Sequence, residues 1–350
     1  QVTKETFENE DAILFPVKDA LMYIKTGSGR YGTGSAYYQA KNHDFGAVFT
    51  YYLKDVPKSL KSERLKKEKE LFKEGSPIPK PDKATLDAEK NESKPYLIFS
   101  IKDEDGNLVT NMYEKPSTGI NRVNWDMRYK SSSPIRLSDN KFDPLKSGGS
   151  SLRALPGKYT VTMSMFNNGE EEVLAGPVEF NTVVLNNRTL PAPSDKEALE
   201  FYEKVTELYR VMSGTMKYRD ELANKTSYIQ QALQSVDNAS IDMKNEMKKI
   251  KKELDDIEFV FDGTQAKASA EEVPPENVPL SERLNAIVWS SWQSTSAPTS
   301  TQKNNYDILM EEFPPVLAEL NSISKTISDM ELELDKLKAP YTPGRVPEFN

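Results

Sequence analysis

The chain has 350 residues, a formal net charge of -8 and no cysteine. Because nucleic acids and anionic membrane surfaces attract basic proteins, this acidic balance argues against both as binding partners. The absence of cysteine excludes disulfide bonds, zinc–thiolate sites and thiol nucleophiles.

The length predicts more than one domain, since a single hydrophobic core rarely serves a chain of 350 residues. No stretch of about 18 consecutive apolar residues is present, so the sequence predicts no transmembrane segment. The chain also begins without the basic and apolar regions of a signal peptide. We therefore expect that a signal has been removed or that the sequence starts inside a longer protein.

The start of the chain is rich in turn-forming residues, and residues 1–44 are interpreted as a connecting arm. The first predicted strand covers residues 46–53, where β-branched and aromatic side chains are concentrated. A charge-dense helix from about Ser59 to Glu74 is expected next, because Gly75 and several prolines follow it. Its basic residues alternate with glutamates along the sequence, which is typical of a solvated helix and not of a phosphate-binding patch. Residues from about 54 to 94 are predicted to form a helical insertion.

Strict alternation over residues 119–129 predicts a half-buried strand. Its core face carries Val123, Trp125, Met127 and Tyr129, and its solvent face carries Asn124, Asp126 and Arg128. A second alternating strand is predicted over residues 155–163, and it opens with a Pro-Gly turn. Asp105-Gly106 predicts a hairpin turn, because glycine adopts positive φ without strain. Residues 45–186 are therefore predicted to form an antiparallel Ig/fibronectin-like β-sandwich of about seven strands.

From Pro191 onward the apolar period changes from two residues to about 3.6, which predicts helices. Ser194 with Glu197 has the spacing of a capping box at the start of the first of them. Residues 187–350 are predicted to form an antiparallel helical bundle that ends in a proline-rich tail. The predicted fold class is thus a multidomain β plus α protein, with the sandwich first and the bundle second.

The last predicted helix has two local signals of its own. Thr299 with Gln302 forms a second capping-box pattern at its start. Pro314 and Pro315 then interrupt its apolar stripe and remove two amide donors, so a kink, or a break and restart, is expected there.

Two motifs resemble ligand sites, but each is better explained by local structure. Gly27–Gly32 has the G-x-G-x-x-G pattern, yet neither a preceding strand nor a following helix is predicted, which favours a loop. Residues 103–114 place acidic side chains at the positions of a calcium loop. The sixth position is Leu108, where such a loop requires glycine, so a hairpin turn is the favoured interpretation.

His43 is the only histidine, which excludes serine triads and multi-histidine metal sites within this chain. Asp126 and Arg128 are expected to form structural ion pairs, either with each other or with a neighbouring strand. Trp289 and Trp292 are candidates for stacking on sugar rings, although aromatic residues at helical spacing more often belong to a core. No two carboxylates stand out as a glycosidase acid and base. We therefore predict no catalytic, cofactor-binding or metal-binding residue.

Segments in a distinctive order and spacing run along nearly the whole chain. They are Phe45-Gly46-Ala47-Val48, Tyr51-Tyr52-Leu53-Lys54, Asp105-Gly106-Asn107-Leu108-Val109, Gly119-Ile120-Asn121-Arg122-Val123, Trp125-Asp126-Met127-Arg128-Tyr129, Pro156-Gly157-Lys158-Tyr159-Thr160-Val161, Ser281-Glu282-Arg283-Leu284-Asn285, Ser294-Thr295-Ser296-Ala297-Pro298-Thr299 and Ala339-Pro340-Tyr341-Thr342-Pro343-Gly344-Arg345-Val346-Pro347. With the charged helix, they resemble the C-terminal region of bacterial sortilin-like propeller proteins with BNR (Asp-box) repeats, often labelled glycosyl hydrolases.

In that family a large β-propeller precedes this region, and any glycosidase-like site belongs to the propeller. Asp-box repeats of the form Ser-x-Asp-x-Gly-x-x-Trp are missing from this sequence. The resemblance therefore implies that the chain is the tail of a longer protein and that residues 1–44 connect it to an upstream propeller.

The resemblance also implies an extracytoplasmic location: periplasmic, associated with the outer membrane, or on the cell surface. The expected function is that of a non-catalytic structural or interaction module that mediates protein–protein assembly. Its expected partners are its own upstream β-propeller or a surface or outer-membrane protein complex, with a glycan as a further candidate and no nucleic acid. The alternative is an accessory region of a carbohydrate-active, sialidase-like glycosidase whose active site lies in the propeller.

Overall fold

The computed structural model describes residues 4–23, 43–137, 141–146, 149, 151–185, 195–264, 277–293 and 296–347. The chain forms two compact units, which we call the sheet unit and the helical unit. The sheet unit comprises Gln1–Ser131 and Leu137–Pro191, and the helical unit comprises Ser132–Arg136 and Ala192–Asn350. The predicted domain boundary between residues 186 and 187 lies outside the described residues.

The strands of the sheet unit form two sheets. Their bounds are β1 (Ala12–Leu14), β2 (Ala20–Met22), β3 (Ala47–Leu53), β4 (Tyr96–Asp103), β5 (Leu108–Glu114), β6 (Gly119–Trp125), β7 (Gly157–Asn167) and β8 (Glu170–Val184). The three-stranded sheet has the order β1-β3-β6 and is antiparallel throughout. The five-stranded sheet has the order β2-β8-β7-β4-β5 and curls into a half-barrel. It is a mixed sheet, because β2 pairs with β8 in the parallel direction.

The predicted fold class, an antiparallel Ig/fibronectin-like sandwich followed by an antiparallel helical bundle, is wrong. The prediction assumed that alternating strands would pair only with antiparallel neighbours. A strand as short as β2 has no usable periodicity, and alternation within a strand does not identify its partner. Helices also precede and interrupt the strands: α1 (Lys4–Asn9), α2 (Leu60–Lys73) and α3 (Lys83–Asn91).

Part of the predicted connecting arm, residues 1–44, belongs to the sheets. Strand β1 pairs with β3, and β2 pairs with β8. Leu14, Ala20 and Met22 are buried in the core of the sheet unit. This segment differs from the expected arm because three-residue strands are stabilised by partners elsewhere in the chain. Residues 24–42 lie outside the described part of the chain.

Aromatic side chains form much of the core between the strands. Trp125 packs edge to face against Tyr159 at a centroid distance of 5.3 Å and against Phe180 at 6.0 Å. Phe49 and Phe99 are stacked at 6.3 Å. Each such pair stabilises the core by about 0.5–1.5 kcal/mol beyond the burial of its area. The prediction that Trp125 lies on the core face is confirmed, since this side chain is fully buried.

Strand β6 ends at Trp125, four residues before the predicted end at Tyr129. The reason is local, because Met127 has a φ of 57° and a left-handed residue cannot continue a strand. The chain is held in this bend by the Trp125 indole, whose Nε1 donates to the Arg128 carbonyl oxygen at 2.9 Å. Arg128 then forms an isolated antiparallel bridge with Arg153.

In the described part of the helical unit the helices are α4 (Asp195–Gln234), α5 (Ile241–Asp262), α6 (Leu280–Gln293) and α7 (Ser300–Lys336). Their buried side chains recur at the predicted spacings of three and four. In α5 these are Met247, Ile250, Leu254, Ile257 and Phe261. No helix within the described ranges combines the length and the apolarity needed to span a bilayer.

The start of α7 is confirmed as a capping box, in which the Thr299 hydroxyl accepts from the Gln302 N–H and the Gln302 side chain accepts from the Thr299 N–H. The predicted capping box at Ser194 lies outside the described residues.

Of the two outcomes predicted at Pro314-Pro315, a kink or a break and restart, the break does not occur, because α7 is continuous through both prolines. In a regular helix, amide N–H groups at positions 314 and 315 would donate to the carbonyl oxygens of Met310 and Glu311. Both of those residues are exposed, so water can donate hydrogen bonds to their carbonyl oxygens instead. Phe313, directly before the two prolines, is buried, and its packing stabilises the flanking turns.

Candidate interaction site

Two sequence motifs with ligand-like patterns have structural roles. The carboxylate of Asp103 accepts hydrogen bonds from the backbone N–H groups of Asp105 at 3.1 Å and Asn107 at 2.8 Å. These oxygens hold the turn between β4 and β5, where the predicted hairpin is confirmed. His43 is exposed, and its backbone carbonyl accepts a hydrogen bond from the Tyr23 hydroxyl at 2.6 Å.

The remaining predicted candidates are separated from one another. Arg128 Nε lies 3.5 Å from an Asp126 carboxylate oxygen, which confirms the predicted pair. Trp292 is buried in the helical unit, whereas Trp289 is 68% exposed, so the two indoles do not form a common stacking surface. The glycine motif Gly27–Gly32 lies outside the described residues.

The most distinctive surface belongs to the α2–α3 insertion, residues 60–91, which follows β3 in the sheet unit. Each of its helices begins at a side-chain cap. The Ser59 hydroxyl accepts from the Ser62 N–H at 3.2 Å, and the Asp82 carboxylate accepts from the Thr85 N–H at 2.8 Å. Hydrogen bonds from the Thr85 side chain and then from its backbone N–H lower the pKa of Asp82 below its ordinary value. Caps of this kind typically stabilise a helix by about 1 kcal/mol.

The two helices of the insertion are joined by charged side chains. Arg64 donates to both oxygens of Glu89, at 2.5 and 3.0 Å, and to Glu68 at 2.6 Å. The hydrogen bonds from Arg64 lower the pKa of Glu89, and those to Glu89 and Glu68 raise the pKa of Arg64. The carboxylate of Glu92, just after α3, accepts from the Leu60 N–H with both oxygens at 3.0 Å. This carboxylate therefore satisfies an amide that α2 itself leaves without a partner.

Neither α2 nor α3 contributes a buried residue to the core. Phe72 is 75% exposed and Leu65 is 48% exposed. A single exposed apolar residue is ordinary on a protein surface, but neighbouring ones on a projecting element are typical of an interaction surface. The insertion thus presents apolar side chains that the fold of the sheet unit does not use.

The helical period of α2 places two lysines beside these apolar side chains. Lys61, Leu65, Lys69 and Phe72 follow spacings of four, four and three, which puts them along one side of a helix. We call these four residues the docking face. At 100° per residue, Glu63, Glu70 and Glu74 lie on the opposite side of the helix. Within the described ranges Lys69 forms no salt bridge, so its charge is directed to solvent.

Sequence reasoning overlooked Leu65 and Phe72 because it compared charges along the chain, where signs alternate. The signal appears only when the positions are projected around a helix, since each turn takes 3.6 residues. The projection places Leu65 and Phe72 on the same side of α2 as Lys61 and Lys69.

This arrangement is suited to binding. A rigid helix pair that offers exposed apolar groups flanked by ammonium groups is complementary to an apolar surface flanked by carboxylates. Among the described residues, no group of three or more acidic or histidine side chains comes together as a metal site would require. Comparison with protein-family models, curated protein sequences and solved structures finds no match to this chain. The family resemblance therefore stays a prediction.

Proposed function

We propose that this chain is a non-catalytic module for protein–protein assembly in a secreted or surface BNR-repeat propeller protein, and that the docking face is where it binds. The observation that carries the proposal is the exposure of Phe72 and Leu65 on an insertion without core residues. The partner is its own upstream propeller or another protein of a surface complex.

The chemistry of the docking face specifies what the partner must offer. Burying a side chain such as Phe72 contributes about 1.5–3 kcal/mol, which is less than the cost of association. The partner must therefore also cover Leu65 and supply carboxylates near Lys61 and Lys69. Such charge complementarity increases the association rate and orients the partner.

Pre-organisation supports the same assignment. Ser59 caps α2, Asp82 caps α3, and the Arg64–Glu89 contact joins the two helices before any partner binds. A surface that is already ordered loses less conformational entropy on association. The polar contacts of the insertion thus position its exposed side chains and do not contribute to the core.

Site-specific photo-crosslinking in the native full-length protein tests the proposal. A benzoylphenylalanine replaces Leu65 in one variant and Glu63, on the opposite side of α2, in the matched control. We expect a single protein adduct from position 65 and none from position 63. The charge reversal Lys69→Glu, combined with the probe at position 65, should abolish the adduct, because like charges then meet.

Equal crosslinking from both positions, or an adduct that persists with Lys69→Glu, would overturn the proposal. Crosslinking to lipid alone would assign the docking face to a membrane surface and would equally reject the proposed protein partner. Circular dichroism of each variant verifies that α2 is folded, so loss of the adduct reports binding.

A further inference from the structure

A pair of arginines lies where the chain after β6 meets the segment before β7. The backbones of Arg128 and Arg153 form an isolated antiparallel bridge, flanked by hydrogen bonds from Ala154 N–H to the Met127 carbonyl and from Tyr129 N–H to the Leu152 carbonyl, each 2.8 Å. Residues directly opposite in an antiparallel pair have Cβ atoms about 4.5–5.5 Å apart on the same face. The two guanidinium groups therefore share one side of this bridge.

Arg153 is held in place without a protein acceptor. Its guanidinium carbon lies 4.7 Å from the centre of the Phe45 ring, in cation–π geometry. Its Nε is buried and has no hydrogen-bond partner in the described part of the chain. Arg128, in contrast, donates from Nη1 to the Ser151 carbonyl oxygen.

Among the described residues, the charges that act on Arg153 do not balance. Arg128 and Arg153 carry two positive charges, and the carboxylate beside them is that of Asp126, which is 62% exposed and therefore screened by water. Burial, followed by the charge of Arg128, lowers the pKa of Arg153, while Asp126 acts in the opposite direction. An additional anion at this position would relieve the repulsion between the two guanidinium groups.

The backbone around the pair is fixed before any ligand binds. Met127 has a φ of 57°, and non-glycine residues in this region persist where surrounding contacts over-determine them, often at ligand sites. Gly46, next to Phe45, has a φ of 130°, and a Cβ placed there would be 1.9 Å from the Trp125 carbonyl oxygen. The aromatic platform under Arg153 is thus tied to the same strand end as Arg128.

We propose that Arg128 and Arg153 form a binding site for one carboxylate, supplied by an acidic side chain or a chain terminus of a ligand. The planar fork of a guanidinium matches the two oxygens of a carboxylate. Counted over the described residues, one monoanion also compensates the excess of one positive charge, whereas a phosphate dianion would exceed it. This site shares no residue with the docking face and binds a different kind of group. The proposal for this site can therefore be tested independently of the proposed function.

Nuclear magnetic resonance of the arginine Nε–Hε groups in the complete chain tests the site, with sodium acetate as the probe. Sodium chloride at equal ionic strength and inorganic phosphate form the other two arms. We expect a saturable shift of the Arg128 signal with acetate. Arg153→Met, which keeps a long side chain over Phe45, should weaken this binding by about tenfold or more, because hydrogen bonds to charged groups contribute about 1.5–3 kcal/mol. Arg122→Gln, on β6, is the matched control and should leave the acetate affinity unchanged.

Several results would overturn the assignment. Shifts that rise linearly in all arginine signals would indicate non-specific ionic contact, and unchanged acetate affinity in Arg153→Met would exclude Arg153. Phosphate binding more tightly than acetate would exclude a carboxylate site. If Arg153→Met does not fold, Arg153→Lys keeps the charge but loses the fork, and it should still weaken acetate binding relative to Arg122→Gln.

Discussion

Two regions of the sheet unit are stabilised in opposite ways. The α2–α3 insertion is held by caps and by hydrogen-bonded ion pairs and has no buried residue. The aromatic core around Trp125 is held by burial and edge-to-face ring contacts. Exposed ion pairs contribute little to global stability, whereas a fully buried aromatic side chain contributes several kcal/mol. The comparison teaches that this chain separates the residues that stabilise it from those available for binding.

The largest expected effect on stability comes from a substitution in the aromatic core. Trp125→Ala should destabilise the sheet unit by about 3–5 kcal/mol, because it removes ring contacts and leaves a cavity. Urea denaturation followed by circular dichroism measures the loss. Trp289→Ala removes the same side chain from an exposed position and should change stability by less than about 0.5 kcal/mol. Similar losses from both variants would contradict the assignment of Trp125 to the core.

An intermediate effect is expected where the core meets a left-handed glycine. Gly46→Ala should cost about 1–3 kcal/mol, since its Cβ would collide with the Trp125 carbonyl and its φ is 130°. Gly75→Ala, at the end of α2, has a φ of 69° and nothing within 4 Å of the added Cβ. It should cost about 1 kcal/mol from backbone strain alone. A Gly75 variant that loses more stability than the Gly46 variant would show that close approach to Trp125 is unimportant.

The smallest effect on global stability is expected from the insertion. Hydrogen bonds from Arg64 lower the folded pKa of Glu89 below 4.5, so this contact stabilises the insertion above that pH. The stabilisation is lost as pH falls through the lowered folded value. Carbon chemical shifts of α2 should therefore be constant at neutral pH and move towards coil values in acid, while signals of the Trp125 core stay unchanged.

The matched variants sharpen the same test. Arg64→Gln should produce the coil shifts of α2 already at neutral pH, with an unchanged midpoint of global unfolding. Lys66→Gln removes the longer 3.9 Å pair with Glu70 and should have little effect on the shifts. A lower midpoint of global unfolding in Arg64→Gln would show that the insertion contributes to the core after all.

The predictable parts of the fold and of the candidate sites have signals within a few consecutive residues. Alternation around Trp125 identified the buried face, because the side-chain period of a strand is two. The same alternation misplaced Arg128 on a solvent face: its side chain is 17% exposed, because the bend at Met127 turns it towards Ser151. No pattern in the sequence predicts that Met127 adopts a positive φ.

The sequence by itself determined the helix start at Ser59, the hairpin turn at Asp105-Gly106 and the capping box of Thr299 with Gln302. Each depends on hydrogen bonds between residues at most four positions apart, so local residue types are sufficient. Tertiary structure alone decided the parallel pairing of β2 with β8, the bridge of Arg128 with Arg153, and the inclusion of residues 132–136 in the helical unit. These contacts join distant parts of the chain, and their formation depends on the free energy of the whole core, which no short pattern encodes.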